Sequence, residues 1–338
     1  MNIAILSPIA WRTPPSKYGP WEQVASNIAE GLIEKGVDVT LFATGDSITK
    51  GTLEYVCERP YAEDAAIDPK VWECMHISHL MEQAGNFDLI HNNFDFLPLT
   101  YSGLIKTPVV TTIHGFSSQK ILPVYKKYNS TTSYVSISNS DRSPELDYIA
   151  TVYNGINTEE FTFNPEPEDY LLYFGRIHPE KGTSESISIA KRSGRRLIIS
   201  GLIQHQEYFD SMIKPFINDD DIVFAGNSGP AERDRLMGGA YALLHPISFD
   251  EPFGLSVAES MACGTPVIAF NRGSMPELIK DKETGFLVDT VAEAAEAVSN
   301  VIYLDRKHCS DYSVRMFSRH AMVEGYLDVY EKILLSRY

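Results

Sequence analysis

"ALLHPISFDEPFGLSVAESMACGTPVIAF", residues 242–270, reads as strand, loop, helix, strand. ALLHP and PVIAF are short apolar runs bounded by turn residues, the pattern of buried strands. LSVAESMACG between them carries apolar residues at helical spacing and stops at Gly264. Strands that alternate with helices lie parallel, because the crossover helix returns the chain to the same end of the sheet. The stretch therefore predicts a parallel α/β architecture. It also holds Glu251 and Glu259 on either side of a turn at Gly254.

Outward from this unit the alternation continues. YLLYFG (170–175), RLIISG (196–201) and DIVFAG (221–226) precede it, and GFLV (285–288) follows. A second series lies nearer the N-terminus: Ile3 to Leu6, VDVTLFAT (37–44), DLIHN (88–92), PVVTTIH (108–114) and SYVSIS (133–138). After a proline-rich loop, WEQVASNIAEGLIEKG places Trp21, Val24, Ala25, Ile28, Leu32 and Ile33 on one helical face, with Gly36 as the stop. VYNGIN (152–157) reads as a joint, with Asn154-Gly155 as its turn, and the acidic NPEPED follows. The expectation is two doubly wound α/β domains, 1–157 and 158–319, with a mostly helical tail from about 313 to 338.

Composition narrows the classes. The 338 residues carry a net charge of −16, which argues against a general nucleic-acid binder and against electrostatic docking on anionic lipid. Cys57, Cys74, Cys263 and Cys309 have neither CxxC nor metal-ligand spacing, so reduced thiols are expected. The opening MNIAILSPIAWR lacks a basic segment ahead of a long apolar one, and no apolar run approaches the ~20 residues of a membrane span. A cytoplasmic protein is expected. The loop after the first strand, SPIAWRTPPSKYGP, has no GxGxxG, which removes a Rossmann oxidoreductase. No Walker A motif and no GxSxG occur either.

Ligands of doubly wound sheets lie beyond the carboxyl ends of the strands, so the polar residues there are the candidates. YFGRIHPEKG (173–182) ends a strand and carries Arg176 and Lys181 towards a helix start, an arrangement that suits a diphosphate or, more plainly, a solvated basic turn. Glu251 and Glu259 either grip the hydroxyls of one ligand or are solvated acids beside a capped helix. Gly254 between them allows backbone N–H groups to approach a ligand. TTIHGF (111–116) ends a strand at His114-Gly115, where a packing histidine is the competing reading. NNFDF and SISNSDR read as turn closures. Asp219-Asp220-Asp221 superficially matches a metal-binding DxD but reads as a solvated turn, and no zinc-type set occurs.

Taken together, these residues resemble the retaining glycosyltransferases of family 4, over nearly the whole chain. Glu251 and Glu259 match the E-x7-E signature, and EPFGLSVAESMACGTPVIA follows its consensus. GRIHPEKG matches the GR…KG segment, Val152 to Asn157 the interdomain joint, and GSMPELI the segment after the signature. The resemblance implies a GT-B fold of two Rossmann-like domains facing a cleft, with the last helix, about 320–338, packing back on the first domain. It implies a nucleotide-sugar donor, UDP-hexose favoured over GDP-mannose, and a carbohydrate or small-molecule hydroxyl acceptor. Arg176 and Lys181 would bind the diphosphate, Glu259 the ribose and Glu251 the transferred sugar. Backbone at Phe253, Gly254 and Leu255 would meet sugar or phosphate oxygens, and Gly175, Gly201, Leu202, Gly226 and Asn227 would line the donor pocket. His114 would sit near the donor sugar, with Trp21 and Glu22 on the acceptor side. The family's G-G-x-E loop reads Gly19-Pro20-Trp21-Glu22 here, and Pro20 has no N–H to offer a phosphate. No metal or other cofactor is implied. The competing functions are a catalytically inactive nucleotide-sugar-binding subunit and another GT-B enzyme, such as an epimerase or phosphorylase.

Overall fold

In the computed structural model, which describes residues 1–116 and 119–336, the strands form two sheets, and every pairing is parallel. The first sheet comprises β1 (Asn2–Leu6), β2 (Asp38–Phe42), β3 (Thr52–Glu54), β4 (Leu89–Asn92), β5 (Val109–Ile113), β6 (Ser133–Ser136) and β7 (Tyr148–Thr151), in the order β3-β2-β1-β4-β5-β6-β7. The second comprises β8 (Tyr170–Phe174), β9 (Arg196–Ser200), β10 (Ile222–Gly226), β11 (Ala242–His245), β12 (Val267–Phe270) and β13 (Gly285–Val288), in the order β10-β9-β8-β11-β12-β13. Both orders are those of a doubly wound fold. The direction of winding reverses between β1 and β4 in one sheet and between β8 and β11 in the other.

Helices on both faces explain the continuous apolar runs: Ile3, Ile5, Leu6, Leu171, Leu172 and Leu243 are fully buried. β3 and β7 lie outside the expected runs. They are edge strands of three and four residues, none of them buried, so no core contact marks them in the sequence.

The chain divides into two compact units, Met1–Gly155 with Arg319–Tyr338, and Ile156–Ser318. The first division falls two residues before the expected 157. Gly155 is held within the first unit, where its O accepts from Asn27 Nδ2 at 2.9 Å and its N lies 2.9 Å from the Met322 sulfur. Ile156 belongs to the second, where its N donates to Phe317 O at 2.8 Å.

On the helix Pro20–Glu34 the expected stripe buries Val24, Ala25, Ile28 and Leu32, while Trp21 and Ile33 are only partly covered. Ser26, Asn27, Ala29 and Gly31 are buried as well, because the helix Arg319–Leu335 covers a second face. A Cβ on Gly31 would lie 2.5 Å from Val323 Cγ2. Tyr326 Oη is 2.7 Å from Thr112 Oγ1, and Tyr330 Oη is 2.7 Å from His91 Nδ1, so this final helix is bonded to β4 and β5. Residues 337 and 338 of the expected tail lie outside the described residues. Among the described residues no helix is long and apolar enough to cross a membrane.

Candidate active site

The second unit carries several of its candidate groups on the loops after β8 and β11, the paired strands between which the winding reverses. Two close backbone approaches set the geometry. A Cβ on Gly201 would fall 1.7 Å from Gly175 O, so the ends of β8 and β9 meet with no room for a side chain. Gly182, at φ 77°, presses its loop on the one after β11, where a Cβ would lie 2.1 Å from Pro246 O. Ser248 N donates to Glu180 O at 3.1 Å and joins the same two loops.

The consequence is an ion pair between residues 70 apart. Lys181 Nζ is 2.5 Å from Glu251 Oε2, with the two side chains only 14% and 16% exposed. The Lys181 ammonium also lies 4.6 Å from the centre of the Phe249 ring. Glu251 is fixed from behind by the 273–279 segment, since its O accepts from Ser274 N at 3.0 Å. Ser274 Oγ donates to Phe253 O at 2.7 Å. Arg176 does not join the pair: its Nη1 donates to Gln204 Oε1 at 2.5 Å, and its O accepts from Tyr173 Oη at 2.7 Å. Leu202 lies just past β9 and Asn227 just past β10, whose last residue, Gly226, accepts through its O from Gly201 N at 2.8 Å.

Gly254 caps the helix Leu255–Ala262, whose first N–H groups have no intrahelical partner. Glu259 lies just over a turn inside and is 5% exposed. Its Oε1 accepts from Arg233 Nη1 at 3.2 Å, while Arg233 Nη2 donates to Glu160 Oε2 at 2.9 Å. Burial raises the Glu259 carboxyl above its ordinary value, with Arg233 opposing and Glu160 adding to the shift. Thus the two signature acids have separate partners: Glu251 pairs with a lysine, Glu259 with an arginine.

His245, at the end of β11, is buried, and its Nε2 has no hydrogen-bond partner. Burial lowers it to about 4, helped by Lys181 and opposed by Glu251. Neither His245 nor Arg233 stands out in the sequence. His245 reads as a strand terminus, and Arg233 lies on a charged helix 73 residues from Glu160. The Asp219–Asp221 run is a turn, with Asn218 Oδ1 accepting from the N–H groups of Asp220, Asp221 and Ile222 at 3.2, 2.9 and 3.0 Å. Among the described residues no group of three or more His, Cys, Asp or Glu is placed to hold a metal ion.

The first unit has a different cluster after β4 and β5. His114 Nε2 is 3.0 Å from Asn93 Oδ1, while His114 Nδ1 and Asn93 Nδ2 are buried without partners. Burial lowers His114 to about 3, so its imidazole is neutral. Trp21 stacks on it, with ring centres 5.6 Å apart and planes 26° from parallel. Glu22 is 3% exposed and accepts from Trp11 N at 3.1 Å. Burial raises Glu22 to about 7, against the hydrogen bonds from its own backbone and from Trp11. Its Oε2 lies 3.1 Å from the position a Cβ on Gly19 would occupy, so the acid closes the loop ahead of the helix. Asn93 is a further polar group that turn chemistry concealed.

Two parallel doubly wound units, with acids and cations paired in the second, give the architecture and the charged site on which the comparisons bear. Residues 21–160 match the Glycosyltransferase Family 4 model, and residues 156–315 match the model of the glycosyl transferases group 1. The chain belongs to this family, and its fold is GT-B. It is similar to an uncharacterized glycosyltransferase of Methanocaldococcus jannaschii, with 24% identity over 98% of this chain and 94% of that one. Among solved structures it is similar to AviGT4, a glycosyltransferase involved in avilamycin A biosynthesis, with 21% identity and a TM-score of 0.79 over 99% and 98% of the two chains. Anabaena HepE in complex with UDP and glucose is similar at 19% identity and a TM-score of 0.75, over 98% and 99%.

Proposed function

We propose that this protein is a retaining hexosyltransferase that moves a hexose from a nucleotide sugar to a hydroxyl acceptor and forms an α-linkage. The observation that carries the reading is the Lys181–Glu251 pair, with Glu259 one helical turn deeper on the same segment. A nucleotide sugar presents an anionic diphosphate between two polyols, and this arrangement offers a cation paired with one carboxylate, Lys181 with Glu251, and a second carboxylate, Glu259, on the same segment. Lys181 and Arg176 take the diphosphate. At ~4 Å and an effective dielectric near 20 each such contact is worth roughly 4 kcal/mol before desolvation. N–H groups at Gly254 and Leu255 add the positive end of a helix. Glu251 accepts from hydroxyls of the hexose and Glu259 from those of the ribose.

The cations stabilise the charge that grows on the leaving diphosphate. An oxygen of that leaving group takes the acceptor's proton on the face where the bond breaks, which retains configuration. Neutral His114 and Trp21 serve the sugar and acceptor side. Arg176, Lys181 and the helix start take the place of a divalent metal. UDP-glucose is the favoured donor, supported by the UDP and glucose found with HepE. GDP-mannose is the alternative.

A thermal-shift screen of UDP, GDP, UDP-glucose and GDP-mannose identifies the nucleotide, because a bound ligand raises the melting temperature by mass action. Nucleoside diphosphate release is then measured over a panel of hydroxyl acceptors, with and without EDTA, and the anomeric configuration of the product is read by NMR. Acceptor-dependent release that survives EDTA, giving an α-product, is expected. Binding without turnover would make the protein an inactive subunit, and sugar conversion without acceptor would make it an epimerase.

A further inference from the structure

We propose that Arg233 is a positioning residue for the nucleotide half of the donor site, acting through Glu259 and tuned by Glu160. The inference rests on the assignment of Glu259 to the donor ribose. Arg233 is 14% exposed and divides its guanidinium between two acids, Glu259 at 3.2 Å and Glu160 at 2.9 Å. Its Nε is buried without a partner, and its guanidinium carbon lies 5.0 Å from the centre of the Phe161 ring. The fork is therefore held in one place and is overcommitted, with one cation serving two carboxylates.

That matters because Glu259 sits where water does not help it. A carboxylate removed from water takes up a proton unless a cation holds it ionised. Only the ionised form offers both oxygens fully as acceptors to a pair of ribose hydroxyls. Arg233 supplies the compensating charge and fixes the direction of Oε1. Glu160, 34% exposed, competes for the same cation and repels Glu259. Nearby groups do not replace Arg233. Cys263, just past the end of the helix that carries Glu259, is a thiol held protonated chiefly by burial, with Asp234 adding to the effect, and its Sγ lies 3.6 Å from Asp234. From the helix Arg306–Phe317, packed alongside, Ser310 and Ser313 donate to Ala262 O and Ala258 O at 2.8 and 2.7 Å.

The test measures binding of UDP and UDP-glucose, with GDP and GDP-mannose in parallel, by calorimetry from pH 5.5 to 9. The proteins are the wild type, Arg233→Met, Arg233→Lys, Glu160→Gln and Glu259→Gln. Arg233→Met is expected to weaken nucleotide binding about tenfold at pH 7, regaining affinity as pH rises and Glu259 ionises. Its donor KM should rise more than its kcat falls. Arg233→Lys should restore part of the loss, because an ammonium keeps the charge without the fork. Glu160→Gln should move the affinity profile the other way, to lower pH. It removes a partly exposed acid, so this arm stands even where Arg233→Met does not fold. Wild-type affinity and pH profile in both Arg233→Met and Glu160→Gln, with binding lost in Glu259→Gln, would overturn the inference. Unchanged binding in Glu259→Gln would instead overturn the assignment of Glu259 to the donor.

Discussion

At the end of β5 and on the helix Pro20–Glu34 of the first unit, burial works against charge. His114 is lowered to about 3, and Glu22 is raised to about 7. Beyond β8 and β11 of the second, pairing keeps the charges in place: Lys181 against Glu251, Arg233 between Glu160 and Glu259. The first six strands of both sheets follow one order, so topology does not explain the contrast. The difference lies in what each strand end is given as a neighbour. An aromatic ring and an amide stand beside His114, and opposite charges stand beside the signature acids. A cluster in which burial opposes charge suits hydroxyls, and a site that holds ionised groups by pairing suits a charged ligand.

The comparison breaks first at Lys181. Lys181→Ala removes a preorganised cation and strands Glu251. The rate of nucleoside diphosphate release is expected to fall by about 100- to 1,000-fold at saturating donor. A variant with wild-type turnover would place the leaving-group charge elsewhere.

Glu22 offers the next largest effect, and its sign is set by burial. The folded chain holds this proton to about 7, the unfolded chain to 4.5. A carboxyl raised on folding favours the folded state fully below the unfolded value, and that contribution is lost as pH climbs through the folded value. The gap corresponds to about 3 kcal/mol. Wild-type stability in urea is therefore expected to decline from pH 4.5 to about 7 relative to Glu22→Gln. An advantage for the glutamine variant of about 3 kcal/mol should appear by pH 8. Parallel curves for the two proteins would show that Glu22 ionises freely in the folded state.

The smallest effect tests the Trp21–His114 stack. A double-mutant cycle with Trp21→Leu and His114→Ala, read by urea unfolding, should give a coupling of about 1 kcal/mol. A coupling near zero would leave the two rings as neighbours without mutual preference.

The strands buried on both faces were legible because parallel strands read as unbroken apolar runs. β3 and β7 were not, since their residues at the sheet edges leave no stripe. The joint at Asn154-Gly155 was visible as a turn, but its side of the division was decided by Asn27 and Met322, which no local pattern connects to Gly155. At the site, motif spacing picked out Lys181, Glu251 and Glu259 one by one. That Lys181 faces Glu251 depends on Gly182 lying against Pro246, a contact between loops 64 residues apart. Arg233 had no motif at all. Its meaning arises only when Glu160 and Glu259 arrive on either side of it.

The helix Arg319–Leu335 has a bearing on synthesis. It supplies Tyr326 and Tyr330 to Thr112 and His91, and Val323 to the surface around Gly31. Residues 156–318 lie between those partners and the helix that covers them. As the chain leaves the ribosome, the second unit is therefore complete before the first. The first unit, begun earliest, waits with the flank of Pro20–Glu34 and the His91 side of its sheet bare until the last helix emerges. Exposed apolar surface of that kind invites aggregation or chaperone capture during translation.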